Sequence, residues 1–258
     1  MKRNTIFITG AAQGIGKATA LLFAQKNWYI GAMDIDGTRL QQLMDEIGEE
    51  NGIAMVGDVT SESDIEKALV TFAEKTNGKL HLLFNNAGIM RVGDFDELDL
   101  SIQFQMLDIN VRGLIKMTHA ALPYLKSTAN SQIINMSSAA SIFGNPEMPL
   151  YAASKSAVSS LTEAWSLAFE QYGILVSDIN PIYVNTNLVK DNITKIRALE
   201  MDKVKLTVDL IAQRIWKASN RHKLHWYVGV DTKAFALLSR FLPSGIVRKI
   251  AKSVLQYK

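Results

Sequence analysis

The sequence contains no cysteine. Disulfides, thiolate metal sites and cysteine nucleophiles are therefore excluded. Acidic residues are missing from one stretch. From Lys233 to Lys258 there are six basic side chains (Lys233, Arg240, Arg248, Lys249, Lys252, Lys258) and none of opposite sign. The remainder carries 22 basic and 25 acidic residues, a net of −3, so the positive character of a chain whose net charge is +3 belongs to that stretch. A charge this small makes no case for a nucleic-acid partner. No uninterrupted apolar run approaches the roughly 20 residues that span a bilayer. The apolar run near Met1 stops at Gly10, too short for a secretory core, and a cytoplasmic location is expected. The four histidines (His81, His119, His222, His225) have no zinc spacing, so no metal site is expected.

Of the 258 residues, 48% are hydrophobic and 21% charged, a globular balance in a chain long enough to bury a full core. Short apolar runs read as strands at Thr5–Thr9, Tyr29–Met33, Ile53–Val56, Leu80–Phe84, Gln132–Met136, Leu175–Ile179 and Trp226–Val230. Helical patterns fall between them, over Gly14–Lys26, Thr38–Glu50, Glu62–Lys75, Leu98–Leu125 and Tyr151–Tyr172. This alternation predicts an α/β fold: one Rossmann-like, doubly wound parallel sheet of about seven strands, with helices on both faces. No repeat or linker interrupts it, so residues 1–258 are expected to form a single dinucleotide-binding and catalytic domain. Residues 187–205 are polar and weakly patterned, suited to a substrate lid or to an ordinary surface helix pair.

The segment Thr9-Gly10-Ala-Ala-Gln13-Gly14-Ile15-Gly16 follows the first strand and opens the first helix. Its glycines allow a sharp turn and close approach to a pyrophosphate, and the helix start offers free N–H groups. Asp34 ends the second strand, where a carboxylate accepts hydrogen bonds from adenosine ribose hydroxyls and repels an added phosphate. Gln13 stands where a basic residue would greet that phosphate. Both features favour NAD over NADP. Asp58 and Val59 are expected to flank the adenine, and Asn86, Ala87 and Gly88 leave room for a ligand beyond the fourth strand.

Tyr151 and Lys155 stand four apart, on one face of a helix, with Ser138 upstream. A neighbouring ammonium favours the phenolate and is expected to lower the tyrosine pKa from about 10. A tyrosine so tuned exchanges protons near neutral pH, as hydride transfer on an alcohol or carbonyl requires.

These elements, with Asn110 and the segment Pro181 to Thr186, resemble the short-chain dehydrogenase/reductase family in order and spacing. The resemblance implies that Tyr151 is the acid/base and that Lys155 tunes it and binds the nicotinamide ribose. It implies that Ser138 positions the substrate oxygen and that Asn110 holds a water linking Lys155 to solvent. Thr186 and the Val184 backbone would reach the nicotinamide carboxamide. One departure is Pro181-Ile182, where the family has Pro-Gly; Ile182 adds bulk near the substrate crevice and removes a flexible glycine, and is expected to alter the local backbone and the substrate shape. The family also forms dimers or tetramers through two long helices, here Leu98–Leu125 and Tyr151–Tyr172, with Met117, Leu161, Trp165 and Phe169 suited to a bundle contact or to core packing.

Candidates for the substrate wall are Ile142, Phe143, Met148, Leu150, Ile182 and Leu188, mostly apolar and without an arginine pair. They predict a small hydrophobic alcohol or ketone. The stretch 233–258 mixes its cations with apolar residues, a pattern that packs on the pocket, on another subunit or on an acidic membrane surface. The second functional reading is a non-catalytic NAD-binding redox sensor or scaffold.

Overall fold

The computed structural model describes residues 3–190, 192, 206–229, 236 and 241–254. Seven strands form one parallel sheet: β1 (Thr5–Thr9), β2 (Tyr29–Asp34), β3 (Gly52–Val56), β4 (Leu82–Asn85), β5 (Gln132–Met136), β6 (Leu175–Pro181) and β7 (His225–Val228). Their order is β3-β2-β1-β4-β5-β6-β7. The order reverses between β1 and β4, which opens a crevice at the carboxyl ends of those strands.

Side-chain alternation along β1 divides the core in two. Ile6 and Ile8 face α1 (Gly14–Gln25), α2 (Gly37–Ile47) and α8 (Val208–Asn220). Phe7 faces the other layer, with α3 (Glu62–Thr76) and α5 (Leu114–Lys126). Every residue of β1 is buried, as expected for a central strand covered on both sides. Phe23 meets Trp28 and Trp216 edge-to-face, with ring centroids 5.1 Å away in each case, and this knits α1 to α8. Such pairs each contribute roughly 0.5–1.5 kcal/mol beyond their buried area. The helix α8 is absent from the expected elements. Its apolar spacing (Ile211, Ala212, Ile215, Ala218) and the Thr207 cap were the available signals.

The expected helix Leu98–Leu125 is broken. Asp99 caps α4 (Leu100–Leu107) by accepting from the Ser101 N–H at 2.7 Å. A π-helical turn over Asp108–Gly113 then separates α4 from α5. Of the residues matched to a bundle contact, Met117 is fully buried in this chain's own core, and Trp165 and Phe169 stack on that core. The exposed apolar side chains on these helices are instead Leu100, Ile102, Phe104, Ile115 and Leu167. In the expected lid, Asn187–Lys190 forms a short helix, α7, and Asn192 is described. Residue 191 and residues 193–205 lie outside the described residues, as do most of 233–240, 230 and 255–258. The last described helix is α9 (Ser244–Val254).

Candidate active site

Pro149 opens α6 (Pro149–Ala168) with its φ already helical. The buried face of α6 carries Tyr151, Ala152, Ser154, Lys155, Val158 and Thr162. The spacing of four thus turns Tyr151 and Lys155 inward together, toward the end of β5. Ser138 lies just beyond β5 as the cap of a 3-10 turn (Ala139–Ser141), its Oγ accepting from the Ala140 N–H at 3.1 Å. The Ser138 hydroxyl also acts on the Tyr151 phenol, favouring its ionised form.

The electrostatics differ from expectation. Burial raises the Tyr151 pKa above its ordinary value, and Ser138 pulls it back only in part. Lys155, with its Nζ 5.6 Å from the ring centroid and donating to the Met136 carbonyl at 2.9 Å, does not draw it down, because it gives up its own proton at lower pH than the phenol does. Burial also acts on Lys155, lowering its pKa to about 8. The pair is thus two desolvated groups sharing one pocket, each held toward its neutral form.

Asn110 sits in the π turn, buried, and its side chain is fully engaged. Its Oδ1 accepts from the Ile89 N–H at 2.8 Å, while Nδ2 donates to the Ile89 carbonyl at 2.9 Å and to Ser154 Oγ at 3.1 Å. It therefore lies behind the cavity wall and fastens the loop after β4. Gly88, in that loop, has no room for a side chain: a Cβ would lie 3.0 Å from Asn110 Oδ1 and 3.6 Å from Lys155 Nζ.

Ser138, Tyr151, Lys155 and Gly88 line a cavity of about 910 Å³ that runs along the carboxyl ends of the strands. At one end are Gly10, Gln13, Gly14, Ile15 and Asp34, with Asp58 and Val59 beside them. Asn86, Ala87, Gly88, Ser138, Tyr151, Lys155, Val184 and Thr186 occupy its middle. The substrate candidates Ile142, Phe143, Met148, Ile182 and Leu188 line the far end. Leu150 is not in the wall but packs behind it, against a cluster that includes Met90, Met106 and Tyr151. Gly16 is also out of the wall. A Cβ there would stand 2.0 Å from the Gly10 carbonyl oxygen, so its bareness lets α1 begin tight against the loop.

The chemistry of the glycine end fits a dinucleotide. Gly10 and Gly14 have φ of +67° and +58°, the left-handed region that favours glycine. No side chain caps the start of α1, which leaves its N–H groups to an anion. Asn86 Nδ2 donates to the carbonyls of Thr9 and Gly10 at 3.1 and 2.9 Å and so fixes the loop against β4. Both Asp34 oxygens accept backbone N–H groups, from Ala12 at 3.0 Å and Asp36 at 3.1 Å. Arg39 and Tyr183 are among the wall residues that escaped the sequence reading. Arg39 donates to Gln13 Oε1 at 3.0 Å and pairs with Asp36 at 3.4 Å. Tyr183, beside Tyr151, is pushed up to about 12 by burial, with Glu147 and Tyr151 adding to the effect.

The family model for short chain dehydrogenases matches residues 4–197. The chain belongs to the short-chain dehydrogenase family. Among its relatives, a cyclohexanol dehydrogenase of an Acinetobacter species is 36% identical over 186 residues, which is 71% of this chain and 74% of the relative. A 3-oxoacyl-[acyl-carrier-protein] reductase of Thermotoga maritima is 32% identical over 80% of this chain and 84% of its own. The solved 3-ketoacyl-(acyl-carrier-protein) reductase of Brucella melitensis, complexed with NADH, superposes with a TM-score of 0.78 at 26% identity, over 87% and 96% of the two chains. Members of this family are oxidoreductases that bind a nicotinamide cofactor, and this chain shares their doubly wound fold.

Proposed function

We propose that this chain is an NAD-dependent dehydrogenase or reductase that interconverts a hydrophobic secondary alcohol and its ketone. The observation that carries the reading is that Ser138, Tyr151 and Lys155 line one cavity with the loop that leads into the uncapped start of α1. Tyr151 is the acid in reduction and the base in oxidation. Ser138 orients the substrate oxygen toward the phenol, and fixed donors there stabilise the charge that develops on it. Lys155 and Asp34 hold the two ribose units. Bound NAD supplies the hydride chemistry, while the chain supplies position and polarity.

NAD is preferred over NADP because Asp34 presents a carboxylate where the extra phosphate would sit, and the nearby Arg39 is already held by Asp36 and Gln13. The apolar far wall, together with a cyclohexanol dehydrogenase among the relatives, supports cyclic secondary alcohols as substrates. A screen of medium-chain and cyclic alcohols, followed by nicotinamide absorbance at alkaline pH, should find turnover with NAD. NADP should be at least about tenfold poorer in kcat/KM, since opposing the phosphate with a carboxylate costs about 1.4 kcal/mol or more. NAD binding without turnover across the screen would instead favour the redox-sensor reading.

Ile250 of α9 lines the cavity, which supports the C-terminal helix as a cover for the substrate end. Its opposite face exposes Arg248, Lys249 and Lys252, suited to an acidic membrane surface. No helix among the described residues is long and apolar enough to cross a membrane. The exposed Leu100, Phe104, Ile115 and Leu167 suit self-association into a dimer or tetramer. Sedimentation of the full chain, alone and with anionic vesicles, checks both contacts. The expected result is a multiple of the chain mass and vesicle binding that is lost on combined charge reversal at Arg248, Lys249 and Lys252.

A further inference from the structure

Asp178 of β6 is completely buried. It has no direct contact with the cavity, yet it is the centre of a polar cluster packed behind the Ser138 turn. One arm leaves through its Oδ2. Ser159 Oγ donates to that oxygen at 2.8 Å and lies 3.2 Å from Ser137 Oγ. Ser137 Oγ in turn reaches the Lys155 carbonyl at 3.0 Å. The other arm leaves through Oδ1. Asn180 Nδ2 donates to it at 2.5 Å, and Asn180 Oδ1 lies 3.2 Å from Ser141 Oγ, which also donates to the Ser138 carbonyl at 2.7 Å. The two arms end on Ser137 and Ser141, either side of Ser138.

A buried carboxylate needs a counter-charge. His225 of β7 provides it. Its Nδ1 lies 2.9 Å from Asp178 Oδ1 and its Nε2 lies 3.0 Å from Glu163 Oε1 of α6. Both ring nitrogens thus face carboxylate oxygens, and only the imidazolium donates from both. Asp178 and Glu163 are the charged groups that bear on His225, and the Tyr227 ring lies alongside at 6.1 Å.

We propose that Asp178, held by His225, is a positioning residue that sets the turn carrying Ser138 and so aims its hydroxyl at Tyr151. The role assigned to Ser138 rests on the function proposed above; the clamp on the turn does not. The hydrogen bond to Asp178 raises the pKa of His225, with Glu163 adding to it, and burial opposes them in part. The clamp is therefore complete below the ordinary histidine pKa of about 6.5 and slackens as pH rises through the raised value. On deprotonation a ring lone pair would face a carboxylate oxygen.

The test uses the full chain with two substitutions, Asp178→Asn and His225→Gln, and two readouts. Amide hydrogen exchange, which needs no turnover, follows the Ala140 N–H that donates to Ser138 Oγ. It should speed about tenfold or more in both variants at pH 6, relative to the amides of β1 in the same sample. With NAD and an alcohol from the screen, Asp178→Asn should lower kcat about tenfold while KM for NAD stays within about twofold, because a misplaced donor weakens the reacting geometry and not cofactor binding. The ratio of wild-type to His225→Gln kcat should exceed unity at pH 6 and fall toward it as pH rises. That ratio cancels the titrations of Tyr151 and Lys155. If Asp178→Asn fails to fold, His225→Gln alone decides. Unchanged exchange at Ala140, or a ratio of one at every pH with only the melting temperature lowered, would overturn the inference. A Tyr151→Phe variant that kept its rate would instead overturn the functional reading and leave the exchange result standing.

Discussion

Tyr151→Phe is expected to lower kcat by about a thousandfold, within the range that a positioned acid or base contributes, and to leave NAD affinity within about twofold. Phenylalanine keeps the ring, which packs with Met90, Met106, Met148 and Val189, so the variant should fold and bind. It removes only the hydroxyl, which shares the cavity with Ser138. The pH dependence carries the same signature. Burial holds the phenol in its protonated form past neutrality, so the wild-type rate of ketone reduction should be flat through neutral pH. Alcohol oxidation needs the phenolate and should climb as pH rises. Initial rates in both directions from pH 6 to 10, with direct NAD titration of the variant, check the result. A variant that kept its oxidation rate would remove Tyr151 from the proton transfer.

Local pattern made much of this molecule legible. The short apolar run Thr5–Thr9 reads as a strand covered on both faces, and a spacing of four puts Tyr151 and Lys155 on one side of a helix, as found. The glycine loop and Asp34 could likewise be tied to one end of a sheet, and they line one cavity with Ser138 and Tyr151. What escaped depends on burial, which sequence spacing does not carry. A lysine four residues from a tyrosine suggests a lowered phenol pKa. In the folded chain the ammonium is committed to the Met136 carbonyl, and desolvation governs both groups. Asn110 read as a residue of one long helix. The π turn that turns its side chain onto Ile89 is a tertiary compromise, visible only once the loop after β4 is in place. The Asp178 cluster was hidden for a related reason, because its members come from the turn after β5 and from β6, β7 and α6, which are distant in the chain.

The desolvation of Lys155 has its own measurable consequence. The folded chain holds this ammonium with a pKa of about 8, against the ordinary lysine value of 10.5. Because the folded value is the lower one, the unfolded chain binds the proton more tightly. The penalty is fully present below pH 8 and disappears as pH rises toward 10.5. At neutral pH the difference corresponds to about 3 kcal/mol. Lys155→Met preserves the length of the side chain and removes the charge. It also leaves the buried Met136 carbonyl without its donor, which costs about 1–3 kcal/mol. The expected net result at pH 7 is a variant at least as stable as the wild type, by up to about 2 kcal/mol, yet with turnover reduced about a hundredfold or more. A residue whose removal stabilises the fold while stopping the reaction is retained for chemistry and not for structure. Urea unfolding at pH 7 and pH 10 separates the terms. Wild-type stability should gain from the Lys155 contribution between those values, and the variant should lack that gain. A Lys155→Met protein that was several kcal/mol weaker at pH 7, and rose with pH as steeply as the wild type, would show that Lys155 is a structural ammonium whose charge the fold accommodates without strain.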